Sequence, residues 1–296
     1  MGRSELALAR LVEIAEAFCT RHPSPRGRGR PPTYSEGLVL ALWAFKQLHG
    51  LSWRKLESIS RQLLPRVPDF STLHYRVRRL PQERWEEFNR WLAQRALAGD
   101  EPELLLVDGT GWGFGLPYWA CWRRGEELRR LRSHVKGVVV VGVAGGKRVL
   151  LGASLGPPYS DERRLAERWL QSQGSKGWGE GLWFVADALY GMGREVLSQV
   201  RRLGWRAVVA VREGVWRGVK SEERQWAQRL WQEHRDIYRR RYLVESWIGS
   251  IKGLCGSYCR ERGLEMALRA VWGRLLLWNL GLVLLALHLL TTHSTS

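Results

Sequence analysis

The sequence predicts an α/β protein: a mixed sheet flanked by helices, preceded by an all-α N-terminal region. Three observations carry that expectation. Two short apolar runs, 103–107 and 182–186, each lead directly into an aspartate, Asp108 and Asp187, as buried strands do when they deliver a polar residue at their end. Between them, VKGVVVVGV (135–143) and RVLLGASL (148–155) flank the tight turn Ala144-Gly145-Gly146-Lys147, which reads as a hairpin. Upstream, the stretches 4–18, 35–48, 53–63, 72–80 and 82–97 read as helices.

The chain has 296 residues, 45% of them hydrophobic, enough for one large core or two smaller ones. Its net charge of +18, from 47 basic against 29 acidic residues, favours a polyanionic partner such as DNA or RNA, or an anionic membrane surface. Arginine outnumbers lysine, which suits bidentate phosphate contacts. The cysteines, Cys19, Cys121, Cys255 and Cys259, are too scattered for a disulfide framework, and no second Cys/His pair stands at zinc spacing. Glu5, Arg10, Glu13 and Glu16 interrupt any secretory leader. Leu275–Leu290 imitates a membrane span, but its 16 residues include Asn279 and His288. A span needs about 20 residues, so this is expected to be a buried C-terminal helix, with no membrane partner.

Taken in order, residues 4–18 read as an amphipathic helix through Leu6, Val12 and Ile14. Prolines and glycines in 22–32, HPSPRGRGRPP, forbid regular structure. Arg26, Arg28 and Arg30 make that stretch a basic linker, either solvated or laid along a DNA backbone or minor groove. A strong helix follows at 35–48, ended by Gly50. Ser52 is placed to cap a helix over 53–63, and Ser71 one over 72–80 that carries Arg76 and Arg79. Three short helices with a basic third resemble a helix-turn-helix module. Pro81 opens a further helix over 82–97, with Trp85, Phe88, Trp91 and Leu92 on its buried side. Gly99-Asp100 marks a boundary, so a helical DNA-binding region is expected over 1–99, a sheet domain over 100–275, and the end of a helix with a polar tail over 276–296.

Within the sheet domain, the first strand is expected to stop at Asp108, because glycines at 109, 111, 113 and 115 oppose regular structure. After the hairpin, Ser160 or Asp161 caps a helix over 161–172, and 174–181 is a loop. The strand leading to Asp187 precedes a helix at 191–203 and a strand at 206–211. A basic, Trp-bearing connector then reaches HRDIYRRRYLVESWIGSIKG (234–253), which reads as one helix, having no proline and no glycine before Gly249. In it Tyr238, Arg241, Glu245 and Lys252 stand three, four and seven residues apart. At helical pitch those steps bring them within roughly 60° of one another, beside an apolar stripe of Ile237, Val244, Trp247, Ile248 and Ile251. A carboxylate thus shares a polar seam with two cations and a phenol. A surface helix with ion pairs one turn apart explains the same pattern.

This Y-x2-R-x3-E-x6-K spacing resembles the signature of DDE-type transposases of bacterial insertion sequences. In that family the glutamate is the third member of an Asp-Asp-Glu triad on a ribonuclease H-like fold. Asp108, Asp187 and Glu245 occur in the order and the settings that such a core requires. The 58 positions from Asp187 to Glu245 leave no room for the large β-rich insertion of some relatives. Where the family often has a Gly-Tyr pair after the second aspartate, this chain reads Ala188-Leu189-Tyr190-Gly191.

The resemblance implies a transposase that cleaves and joins DNA at insertion-sequence ends by in-line displacement at phosphorus. Two divalent ions roughly 3.5–4 Å apart stabilise the entering and leaving oxygens in such chemistry. It further implies that Asp108, Asp187 and Glu245 hold Mg2+, with Mn2+ as a substitute, and that Tyr238, Arg241 and Lys252 contact DNA near the scissile phosphate. The implied partners are double-stranded DNA, as transposon ends and target, and a second copy of the chain in a homodimer. The implied location is cytoplasmic and nucleoid-associated. Two alternatives stay open: a catalytically inactive, decayed or domesticated DNA-binding protein, and a nuclease of the same fold without strand transfer. His134 and His234 read as surface or packing residues. Most of the 17 tryptophans read as core, with Trp112 and Trp119 as candidates for stacking on an unpaired base.

Overall fold

The computed structural model describes residues 3–25, 31–124, 126–173, 178–210 and 221–293. The basic arginines of the 22–32 linker and most of the connector before the last sheet-domain helices lie outside them. The chain forms two compact units. One comprises Met1–Leu92 with Glu265–Ser296, the other Ala93–Leu264.

The first unit is all α. It contains α1 (Arg3–Arg21), α2 (Glu36–Leu48), α3 (Trp53–Leu63), α4 (Phe70–Arg79), most of α5 (Gln82–Leu97) and α11 (Leu264–His293). Helix starts follow from short polar side chains that accept otherwise orphaned N–H groups. Ser35 accepts from Leu38 N–H and Ser52 from Lys55 N–H. The third cap is Asp69 rather than Ser71: its carboxylate accepts from the N–H groups of both Ser71 and Thr72, so α4 begins earlier than the sequence suggests. Arg84 is nearly buried and satisfies its donors on Glu36 at 2.5 Å, Glu87 at 2.6 Å and the His22 carbonyl at 2.6 Å. Helix α11 is long and apolar enough over Leu264–Leu287 to cross a membrane by length and composition, yet 61% of its most apolar window is buried inside the protein. Asn279 has a purpose there: its amide donates to Asn89 Oδ1 at 3.1 Å, a polar pair sealed in the helical core.

The second unit is built on a five-stranded sheet of order β3-β2-β1-β4-β5. The strands are β1 (Leu104–Arg124), β2 (Glu127–Ala144), β3 (Lys147–Gly156), β4 (Trp183–Ala186) and β5 (Arg206–Val209). β1, β2 and β3 pair antiparallel, whereas β4 joins β1 and β5 joins β4 in parallel. This is the ribonuclease H-like mixed sheet. Helices α6 (Glu162–Gln171), α7 (Arg194–Arg202), α8 (Glu222–Glu233), α9 (Arg235–Arg239) and α10 (Tyr242–Cys255) accompany it. Asp161 caps α6 by accepting from Arg163 N–H. The apolar run of β1 explains its place at the centre: Leu105, Leu106 and Val107 are fully buried.

Two expectations about the sheet unit are also corrected. The first strand does not stop at Asp108. β1 continues through Gly109, Gly111 and Gly113, which pair with Val138, Lys136 and His134 of β2. Ladder pairing uses only backbone groups, and these bare positions let Glu162, His134 and Tyr258 lie directly against the strand. The stretch 234–253 is not one helix. It comprises α9 and α10 joined by a tightened turn, in which Arg240, Arg241, Leu243 and Val244 each donate to the carbonyl three residues back. Three consecutive arginines crowd that turn, and Gly256, at φ 78°, ends α10.

Candidate functional site

The parallel register of β1 and β4 pairs Leu104 with Trp183, Leu105 with Phe184 and Leu106 with Val185. Carried two residues further, it brings Asp108 level with Asp187. Asp108 Oδ1 accepts from Gly109 N–H, and Asp187 Oδ1 from Leu189 N–H, each at 2.9 Å. These local bonds fix both carboxylates at the edge where β4 ends.

Helix α10 supplies the third acid. Val244, Trp247 and Ile251 are buried, and Glu245 stands on the more exposed side. Arg241, in the turn before α10, reaches both ways: its Nη2 pairs with Glu245, and its Nη1 lies 3.6 Å from Asp108 Oδ2. The tightened turn gives Arg241 this double reach. Asp108 is largely buried, with 19% of its side chain exposed. Burial first, then repulsion from Asp187 and Glu245, pushes its carboxyl up to about 6, against the pull of Arg241 and Gly109 N–H. Tyr238, half-buried on α9, hydrogen-bonds Arg241, and burial and the fields of Asp187 and Glu245 raise its phenol.

Five of the six residues singled out in the sequence therefore share one locale: Asp108, Asp187, Glu245, Arg241 and Tyr238. Lys252 stands further along. Its Nζ lies 5.2 Å over the ring of Trp112, and burial lowers its pKa. Trp112 is four residues along β1 from Asp108, roughly 13 Å at the rise of a strand. Trp112 is itself fully buried, which removes it as a stacking platform. The side chain of Trp119 lies outside the described residues. His234 packs on Trp183 with ring centroids 4.5 Å apart, and the His134 ring lies against Gly111.

Three neighbours of the site were not picked out from the sequence. Glu162, at the start of α6, lies so close to β1 that a Cβ on Gly109 would come within 2.6 Å of its carboxyl carbon. Lys136 Nζ holds it at 3.0 Å. Tyr190 closes the turn after Asp187, donating its N–H to the Asp187 carbonyl at 3.3 Å, and is fully buried. Only the glycine after Asp108 hinted at the close approach of Glu162.

The three carboxylates offer only oxygen donors, the chemistry a hard divalent ion takes. Arg241 already stands between Asp108 and Glu245 as a cation, and the raised Asp108 carboxyl is the group an added positive charge would relieve. As arranged, no group of three or more His, Cys, Asp or Glu among the described residues is gathered tightly enough to hold a metal ion.

A ribonuclease H-like sheet with level aspartates on its two central parallel strands, and a helix-borne glutamate beside them, defines the class of polynucleotide-processing folds. Comparison with known families makes it specific. Residues 99–280 match the transposase DDE domain, and the chain belongs to that family. The Y-x2-R-x3-E-x6-K resemblance is thereby borne out at the level of the family. An uncharacterized protein of Aquifex aeolicus (strain VF5) is 37% identical over 289 residues, spanning 95% of this chain and 89% of its own. Among solved structures, the piggyBac transposase in a synaptic complex with hairpin DNA aligns over 94% of this chain and 72% of its own, with a TM-score of 0.45 and 9% identity. That likeness is distant.

Proposed function

We propose that the protein is a DNA transposase that cleaves and joins DNA at insertion-sequence ends, with Asp108, Asp187 and Glu245 as its catalytic carboxylates. The observation that carries the reading is the level pair Asp108 and Asp187, with Glu245 linked to Asp108 through Arg241. Divalent ions held by these three carboxylates, Mg2+ or Mn2+, supply positive charge to the oxygens that enter and leave phosphorus.

The chain's own groups then have separate tasks. Asp108 and Asp187 are fixed by local N–H bonds and keep their places. Glu245, 53% exposed, is the acid that moves. Arg241, released from it, turns to a DNA phosphate, where a guanidinium binds two oxygens at once. Tyr238 donates one hydrogen bond beside it, and Lys252 meets the backbone further along β1. The helices of the first unit, with Tyr75, Arg78 and Arg79 exposed on α4, serve as the end-binding region. The net charge of +18 supports DNA as the partner. Two ends must be brought together, so the working form is a homodimer on DNA, in the cytoplasm at the nucleoid.

A competing reading has one specific observation in its favour. If the closure of Arg241 on Asp108 and Glu245 is permanent, the protein binds DNA without cutting it. One experiment separates the two. The protein and its Glu245→Gln variant are incubated with the gene's own flanking DNA and Mg2+ or Mn2+. End-specific nicks and joined products, absent with the variant, are the expected result. Nicks without joined products would identify a nuclease. Tight binding without cleavage by either protein leaves the DNA-binding reading standing.

A further inference from the structure

Tyr190 is 0% exposed, and its phenol oxygen has no hydrogen-bond partner among the described residues. A buried hydroxyl without a partner is a standing cost, and proteins retain few of them. Its setting is acidic. The charges that act on it are those of Glu162, Asp108 and Asp187, with Arg241 opposing them. A phenol O–H donates one hydrogen bond, and carboxylates only accept. The acceptors nearby are partly engaged. Glu162 is held by Lys136 at 3.0 Å, Asp187 Oδ1 takes Leu189 N–H, and Asp108 Oδ1 takes Gly109 N–H. The phenol is placed by the same short turn that presents Asp187, because Tyr190 N–H bonds the Asp187 carbonyl.

We infer that Tyr190 is a positioning residue of the carboxylate site, donating its single O–H to a carboxylate oxygen of the Asp108–Asp187 pair when those groups close on a divalent ion. The inference rests on the transposase reading above, in which these acids hold the ion. It gives the orphaned hydroxyl a function in the loaded protein and explains why a phenol, rather than a phenyl ring, sits in a dry position. A partner that holds a carboxylate in its coordinating orientation changes ion affinity by roughly tenfold to a hundredfold.

The test is Tyr190→Phe, which removes one oxygen atom and keeps the ring. The full-length wild type, Tyr190→Phe and Asp187→Asn are titrated with Mn2+, following the ion-induced rise in melting temperature and the heat of binding. Without the ion, Tyr190→Phe should melt at or above the wild-type temperature, since the lost hydroxyl has no partner among the described residues. With the ion, its binding midpoint should rise on the order of tenfold or more. End cleavage at limiting Mn2+ should fall in parallel and recover at high Mn2+. A wild-type midpoint in Tyr190→Phe overturns the inference while leaving the carboxylate site intact. A lower melting temperature without the ion shows a merely structural hydroxyl and overturns it as well. A wild type that does not respond to Mn2+, like Asp187→Asn, overturns both the inference and the reading beneath it.

Discussion

Asp108 and Asp187 come level on neighbouring parallel strands, two residues beyond the Leu106–Val185 pair, and each is anchored by a backbone N–H of its own turn or strand. Two carboxylates so placed repel each other, and Asp187 is among the groups that raise the Asp108 carboxyl. Such an arrangement is kept where positive charge is to be brought in. Asp187→Asn preserves shape and the Leu189 N–H bond while removing the charge. End cleavage should fall by about a thousandfold or more, the equivalent of roughly 4 kcal/mol of barrier, with the circular dichroism spectrum unchanged. Activity within tenfold of wild type would remove Asp187 from the catalytic set.

The Asp108 carboxyl gives a prediction about pH. Its value in the fold, about 6, lies above the ordinary 3.8, chiefly through burial. A raised carboxyl favours the folded state when protonated. That contribution is complete below the ordinary value and is lost as pH rises through about 6. Above pH 7, without divalent ions, ionised Asp108 therefore costs the fold about 2–3 kcal/mol. Asp108→Asn should stabilise the ion-free protein at pH 8 and leave it nearly unchanged at pH 4. Urea unfolding in the presence of a chelator at the two pH values measures this. An equal gain at both would show that ionisation is not the cause.

Arg241 is the internal cation of the site, and its removal separates charge neutralisation from ion binding. In Arg241→Gln, Asp108 and Glu245 lose their shared partner. The ion-free protein should lose about 1 kcal/mol, the modest worth of a partly exposed pair. Mn2+ should then raise its melting temperature by more than it raises that of the wild type, because no guanidinium competes for Glu245. A smaller rise than wild type would mean that Arg241 assists the ion rather than standing in for it.

How much of this was legible in the residues can be judged element by element. The apolar runs before Asp108 and Asp187, the Gly145-Gly146 hairpin and the Ser52 cap are local signals, and β1, β4, the β2–β3 turn and α3 follow them. The Y-x2-R-x3-E-x6-K spacing pointed to Tyr238, Arg241 and Glu245, which share one locale, through a helix that is in fact two. The tightened turn at 240–244 carries Arg241 to within 3.6 Å of Asp108 on β1, and spacing alone carries no record of that. For the same reason the glycines after Asp108 read as a loop. Their strand is made by pairing with β2 and by the side chains laid on the bare positions, which are contacts between residues distant in sequence. Glu162 and Tyr190 were hidden likewise: a helix-start acid and a turn tyrosine become part of the site only when α6 and the β4 turn are brought to β1. The helix α11 belongs to the compact unit of the N-terminal helices, whereas an uninterrupted reading carried the sheet domain on to residue 275.

The same reasoning about bare strand positions yields a stability prediction away from the site. Helix α6, which places Glu162, is seated on the sheet by Trp169, only 6% exposed. Its indole lies over Gly152 of β3, where an added Cβ would come within 2.9 Å of the indole Cδ1. A ring buried on this scale has no slack to move aside, unlike the flexible end of Glu162 over Gly109. Gly152→Ala should therefore destabilise the protein by about 1–3 kcal/mol through overpacking. Gly109→Ala should cost less, since Glu162 can swing away at the expense of its Lys136 contact. Tilting α6 in Gly152→Ala should also carry Glu162 with it, so end cleavage should drop while DNA binding is retained. Denaturant unfolding of the two variants side by side decides the matter. If Gly109→Ala proves the more damaging of the two, Glu162 is held far more rigidly than its single ion pair with Lys136 implies.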